Sequence, residues 1–152
     1  MPYATLQDLI DRYPERELRH LTDPQAQQLD TERANQAIND ATAEIDGYLA
    51  VRYLLPLQDA ITNLVLIPAC LVRAACDIAV YRLQTLRASD DIKDARQRYE
   101  DVIKLLKAIA SGDVGLAGIA LRADVVKNGG DSVSVGMPDF VPSVSNFGRD
   151  VR

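Results

Sequence analysis

Residues 68–87 read PACLVRAACDIAVYRLQTLR, and their reading decides the fold. Leu71, Val72, Ala74, Ala75, Ile78, Ala79, Val80, Tyr81 and Leu83 run nearly all the way round a helix of about 3.6 residues per turn. A helix apolar on every side is buried on every side. Pro68 suits its first turn, where the N–H it lacks would have had no intrahelical partner. We expect a central helix over about residues 67–87, packed round by others. The longer apolar stretch Leu64–Leu83 is broken by Pro68, Arg73, Asp77 and Arg82, which excludes a membrane span. Asp77 is the exceptional charge. Buried acids are seldom left unpaired, so an internal ion pair with Arg73, one turn earlier, is expected to fix helix register; a subunit contact is the other reading.

The flanking segments supply the neighbours. Thr5, with Asp8 three residues on, caps a short helix to about Tyr13, and Pro14 opens a second to about Leu21. Asp30 caps a helix over about 31–52, in which Ala34, Ala37, Ile38, Ala41, Ile45, Tyr48 and Leu49 recur in steps of three and four. Gly47 costs that helix about 1 kcal/mol against Ala. Either a neighbouring helix approaches closely there, or the helix loosens before its tyrosines. Residues 53–62 are extended or irregular around Pro56. Ser89-Asp90-Asp91 begins the next helix; Ile92, Ala95, Tyr99, Val102, Ile103, Leu106, Ile109 and Ala110 form its apolar stripe, and Ser111-Gly112 ends it. Asp94–Arg98 and Glu100–Lys104 are its expected surface pairs.

After Gly112 the period changes. Ile119, Leu121, Ala123 and Val125 alternate with Ala120, Arg122 and Asp124, and Val133, Val135 and Met137 alternate with Ser134 and Gly136. Lys127-Asn128-Gly129-Gly130-Asp131 lies between them, so a β-hairpin over 118–137 is expected. Two strands alone are marginal in water, so their apolar face must pack on this chain or on another. The last fifteen residues read as a tail. The fold class is mainly α: about five helices round a central apolar one over residues 1–112, then a C-terminal extended arm or hairpin over 113–152.

Composition limits the function. A chain of 152 residues suits one domain and buries a core without metal or disulfide. The formal charge of −5 argues against a grip on nucleic acid, which needs clustered Lys and Arg. Cys70 and Cys76, six apart on one helix, point roughly 120° apart and cannot bridge each other. Both are expected to be buried, and unbridged thiols suggest a reducing compartment. MPYATLQDLIDRY has no basic region leading into an apolar run, so it is not read as a signal peptide.

Chemistry is scarce. His20 is the only histidine, in RELRHL, with no nucleophile elbow beside it; a surface or half-buried structural histidine is the plain reading. The cysteines lack CxxC spacing and read as small buried hydrophobes. Asp40, Glu44 and Asp46 lie opposite the apolar stripe of their helix, where carboxylates serve solvation. Gly129-Gly130 lacks the Lys-Ser/Thr of a phosphate-binding loop and reads as a turn. No catalytic residue, metal ligand or cofactor is expected.

Four segments occur in order: PYATLQDLIDRYPERELRHLTD, INDATAEIDGYLAVRYLLPL, ACDIAVYRL and RQRYEDVIKLLKAIASGDVGL. Together they resemble a family of small proteins from Mu-like phages and prophages, itself similar to the head-tail connector, or head-completion adaptor, proteins of tailed phages. The resemblance covers about residues 2–116. It implies a helical subunit without enzymatic activity, forming a ring, typically twelve-fold, beneath the portal protein. Such a ring extends the DNA channel and docks tail-completion or tail-terminator components, in the virion neck, after assembly in the host cytoplasm. No membrane is involved. Subunits of this kind often stay monomeric until a portal templates them. The matching residues Asp46, Gly47, Tyr48, Tyr53, Leu55, Pro56 and Leu57 are then structural or interfacial.

A closed ring needs two different faces on each subunit. Tyr48, Arg52, Tyr53, Leu55, Pro56 and Leu57 are candidates for one, since Tyr and Arg are favoured at interfaces; Val133 and Val135 are candidates from the arm. The opposing reading has the leucines covering the chain's own core. A net acidic ring lets DNA slide through without specific binding. The alternative function is a helical nucleic-acid-binding packaging or regulatory protein. It needs a basic helix, and the most basic windows, RYPERELRH and DARQRYEDVIK, interleave acids with bases.

Overall fold

A computed structural model describes residues 1–23, 25, 28–85 and 94–127. They form six helices: α1 (Leu6–Arg12), α2 (Glu15–Thr22), α3 (Thr31–Leu49), α4 (Ala69–Thr85), α5 (Ala95–Ser111) and α6 (Ala123–Lys127). As expected, α4 is central, packing against α1, α2, α3 and α5. Leu71, Ala74, Ala75, Cys76, Ile78, Ala79, Val80 and Leu83 are all buried on it. Its alanines let the neighbouring helices close in, and each Leu or Ile it buries contributes about 1.5–3 kcal/mol.

The helix starts follow their caps. The Thr5 hydroxyl accepts the Asp8 N–H while Asp8 accepts the Thr5 N–H, satisfying two donors that a helix end leaves unpaired. Asp30 accepts from the Arg33 N–H at 3.1 Å. Gly112 takes the left-handed conformation, φ 95°, that closes α5.

Several elements differ from expectation. α3 stops at Leu49, short of residue 52, because Arg52 and Tyr53 turn back onto the Leu49 carbonyl. α4 starts at Ala69, so the apolar residues 64–67 stand outside any helix. In α5 the ion pairs are Arg96–Glu100 (2.9 Å) and Lys104–Asp101 (3.2 Å); Arg98 lies over the Tyr13 ring instead, 5.5 Å from its centroid. The expected start of that helix at residues 89–91 lies outside the described residues.

The largest difference follows Gly112. The expected second strand, 133–137, lies outside the described residues with Gly129 and Gly130, while the expected first strand is seen on a partner that its alternation did not indicate. Residues 118–122 pair antiparallel with the segment after α3: Ala60 N–H with the Gly118 carbonyl, Ala120 N–H with Gln58, Leu54 N–H with Ala120, and Arg122 N–H with Arg52. From Ala123 the chain is helical, so Val125 is not in a strand. Five alternating residues do not outweigh local bonding: the Arg122 carbonyl accepts from both Val125 and Val126. Ile119 is buried in the same core as the helices, so the chain beyond Gly112 returns to the bundle.

Candidate subunit interface

The segment between α3 and α4 was expected to carry the interface, and it divides in two. Part of it faces inward. Tyr53 and Leu57 are 3% and 2% exposed, so both fill the chain's own core instead of offering a contact face. The Tyr53 hydroxyl accepts the Leu116 N–H at 2.8 Å, fastening this segment to the turn after α5. Arg52 lays its guanidinium over Gly112; a Cβ at that glycine would come within 2.3 Å of Nη1. Its charge there faces the carbonyl end of α5, the negative end of the helix dipole. Tyr48 and Leu55 are half-buried against the core. Leu55, Pro56 and Leu57 line a cleft of about 340 Å³ together with Met1, Tyr3, Asp46, Val65 and Ile67. The Leu55–Pro56 peptide is cis.

The other part faces outward. Val51, Leu54, Ile61, Leu64, Val65 and Leu66 are exposed large apolar side chains, with Ile61 at 89% and Leu64 at 69%. Most apolar surface on a folded chain is scattered; six such residues within sixteen positions of one segment make it the candidate contact surface. The backbone beneath them is fixed. Asp59 donates its N–H to the Leu64 carbonyl at 2.8 Å, and Leu66 donates to Leu57 at 3.1 Å. Asp59 Oδ1 accepts from the N–H groups of Ile61 and Thr62, tying the turn between them. Those bonds hold the Asp59 carboxyl below its usual range. Sequence reasoning missed Ile61 and Leu64–Leu66 by assigning the apolar run from Leu64 onward to the central helix. The signal was Pro68: a proline disfavours helix in the residue before it, so nothing ahead of it had to be helical.

The polar residues form internal ties. Asp77 is buried and accepts from the Tyr13 hydroxyl of the turn after α1, while Arg73 Nε, mostly exposed, lies 3.7 Å from its other oxygen. Glu44 accepts from Arg82 Nη2 at 2.6 Å and from the Tyr99 hydroxyl at 2.8 Å, joining α3, α4 and α5. Tyr99 stacks on Tyr81 with centroids 4.3 Å apart. Burial and the bond to Glu44 push the Tyr99 phenol up to about 12. Asp46 accepts from the Tyr3 hydroxyl. Burial, with those carboxylate bonds, raises the phenols of Tyr3 and Tyr13 as well. Glu44 and Asp46 were expected to serve solvation. They pair instead, because a tyrosine far off in sequence arrives beside each, which helical spacing cannot reveal.

Gly47 has no close neighbour; a Cβ there would meet nothing within 4 Å, so it marks no helix approach. Cys76 is buried, its thiol pushed up to about 11 by burial, but Cys70 is exposed. As the second residue of α4, Cys70 precedes the point where neighbours surround the helix. His20 is on the surface. Among the described residues, no three His, Cys, Asp or Glu side chains converge as a metal site requires, and no helix is long and apolar enough to cross a membrane.

Sequence comparison adds to this geometry. The family described as Bacteriophage Mu, Gp36 matches residues 3–135. The chain is similar to the Mu-like prophage FluMu protein gp36 of Haemophilus influenzae, at 42% identity over 115 residues, which cover 75% of this chain and 74% of that protein. It is also similar to gene product J of Escherichia phage Mu, at 34% identity over 137 residues covering 89% of each.

Proposed function

The chain belongs to the bacteriophage Mu Gp36 family, and on that basis we propose that it is a structural virion protein: a head-tail connector subunit that forms a ring under the portal, extends the DNA channel and docks tail components. The observation that carries this reading is the set of exposed apolar side chains on residues 51–66, held by backbone bonds and standing outside the core that Tyr53 and Leu57 of the same segment help to fill. A subunit that acted alone would leave that surface in water at a cost of about 25 cal/mol per Å². In a ring it is covered. The net charge of −5 suits a channel that releases DNA instead of holding it. Its work is contact with copies of itself, with the portal and with tail parts, in the neck of the particle, and no bond is made or broken.

A nucleic-acid-binding role has less support. Three of the four basic side chains of α5 are occupied at home: Arg96 with Glu100, Lys104 with Asp101, Arg98 over Tyr13. The deciding experiment removes the gene. DNA-filled heads that accumulate beside separate, complete tails, and join once the purified protein is added, are the expected result. Normal head-to-tail joining without the protein overturns the reading.

A further inference from the structure

The segments after α3 and after α5 make a minimal antiparallel ribbon in the order 64–66, 57–60, 118–122. Its two outer edges differ. Val65 lies opposite Gln58 in a pair whose flanking residues carry the hydrogen bonds, Asp59 to Leu64 and Leu66 to Leu57. In such a pair the N–H and C=O of each residue point away from its partner. Those of Gln58 point toward 118–122, and its carbonyl accepts the Ala120 N–H. Those of Val65 point out of the ribbon, where neither has a partner among the described residues. The side chains along this edge, Leu64, Val65 and Leu66, are exposed. At the opposite edge Ile119 is buried, its N–H bonded to the Leu116 carbonyl. An exposed apolar edge is a template for one more strand.

The sequence contains an alternating stretch of matching character. Residues 128–152 follow the last described helix, and Val133, Val135 and Met137 alternate there with Ser134 and Gly136. The described chain leaves the ribbon at Arg122, on the side away from Val65, where Arg122 bonds to the carbonyls of Ala50 and Arg52. The open edge and the point where the described chain leaves the ribbon thus lie on opposite sides of it, and a head-to-tail contact that joins two such sides closes a ring.

We propose that residues 132–137 of a second copy of this chain add as a strand along the 64–66 edge of the first. This rests on the ring reading above and names its contact. Val65 then has Val133, Val135 and Met137 on its own face of the ribbon, and its backbone gains its missing partners.

The test is a disulfide between copies, in full-length chains carrying Cys70→Ser so that the exposed native thiol is gone; Cys76 stays buried. Val65→Cys chains are mixed with Val135→Cys chains and oxidised with diamide, in solution where scattering shows multimers or on DNA-filled heads. The expected result is a linked pair, absent when Val114→Cys, also exposed, replaces Val65→Cys. A chain carrying both Val65→Cys and Val135→Cys gives a ladder of linked multimers. Linkage within one diluted chain, equal linkage through Val114→Cys, or multimers without linkage each overturn the proposal, and the last leaves the ring standing. Chains that never multimerise, in solution or on heads, overturn both.

Discussion

Tyr99 ties α5 to α3 through its hydroxyl, on the Glu44 carboxylate that also holds Arg82 of α4, and its titration is measurable. Its phenol is raised from an ordinary 10.0 to about 12, first by burial and then by the bond to Glu44. A raised pKa means that the folded chain favours the neutral form. Its contribution to stability is full below about pH 10 and is lost as pH rises through about 12. Urea midpoints of the native chain and of Tyr99→Phe, compared across that range, show a constant gap up to about pH 10 that closes above it. A gap independent of pH rejects the assignment. The two thiols make a second residue-scale contrast. Ellman's reagent is expected to titrate Cys70 at once and Cys76 only after denaturant is added, because Cys76 is buried and its thiol raised to about 11. Two fast thiols in the folded chain contradict that. The burial of Cys76 was legible in the sequence; the exposure of Cys70 and the contact of Tyr99 with Glu44 were not. Helical spacing gives the direction of a side chain round its own axis, whereas Tyr99 meets Glu44 across 55 positions of chain.

Elements were more legible than residues. Thr5, Asp30 and Gly112 mark helix ends, because a helix end needs a local partner or a left-handed residue and both are written within four positions. The α4 pattern, apolar on every side, placed that helix at the centre for the same local reason. Gly47 misled in the other direction. It sits in α3 with open space where a side chain would go, so Gly47→Ala removes backbone freedom from the unfolded chain and strains nothing. The variant is expected to gain about 0.5–1 kcal/mol in chemical denaturation, and a loss of stability restores a packing role for the glycine. Of the segment 118–125, the pairing of 118–122 was legible and the helical 123–125 were not; alternation states which residues share a face and leaves the pairing partner open. Its partner is the chain after α3, held by four backbone bonds.

At the scale of the whole molecule, the exposed apolar segment separates folding from assembly. Leu64 is 69% exposed and outside the core, so Leu64→Glu is expected to change stability by no more than about 0.5 kcal/mol. The same change sets a charge on the surface assigned to the neighbouring subunit. Heads supplied with this variant should fail to retain it while its melting profile is unaltered; full retention removes residues 64–66 from the interface. A small domain must hide its apolar face, and here the helices hide theirs in one another while 61–66 does not. The sequence by itself determined the helical class, the central helix and most helix ends, because periodicity and capping are local properties of the chain. Only the tertiary structure decided which leucines and tyrosines face inward, which carboxylates are paired and which backbone edge is open. Those outcomes depend on segments distant in sequence arriving side by side, and no window of a few residues contains that information.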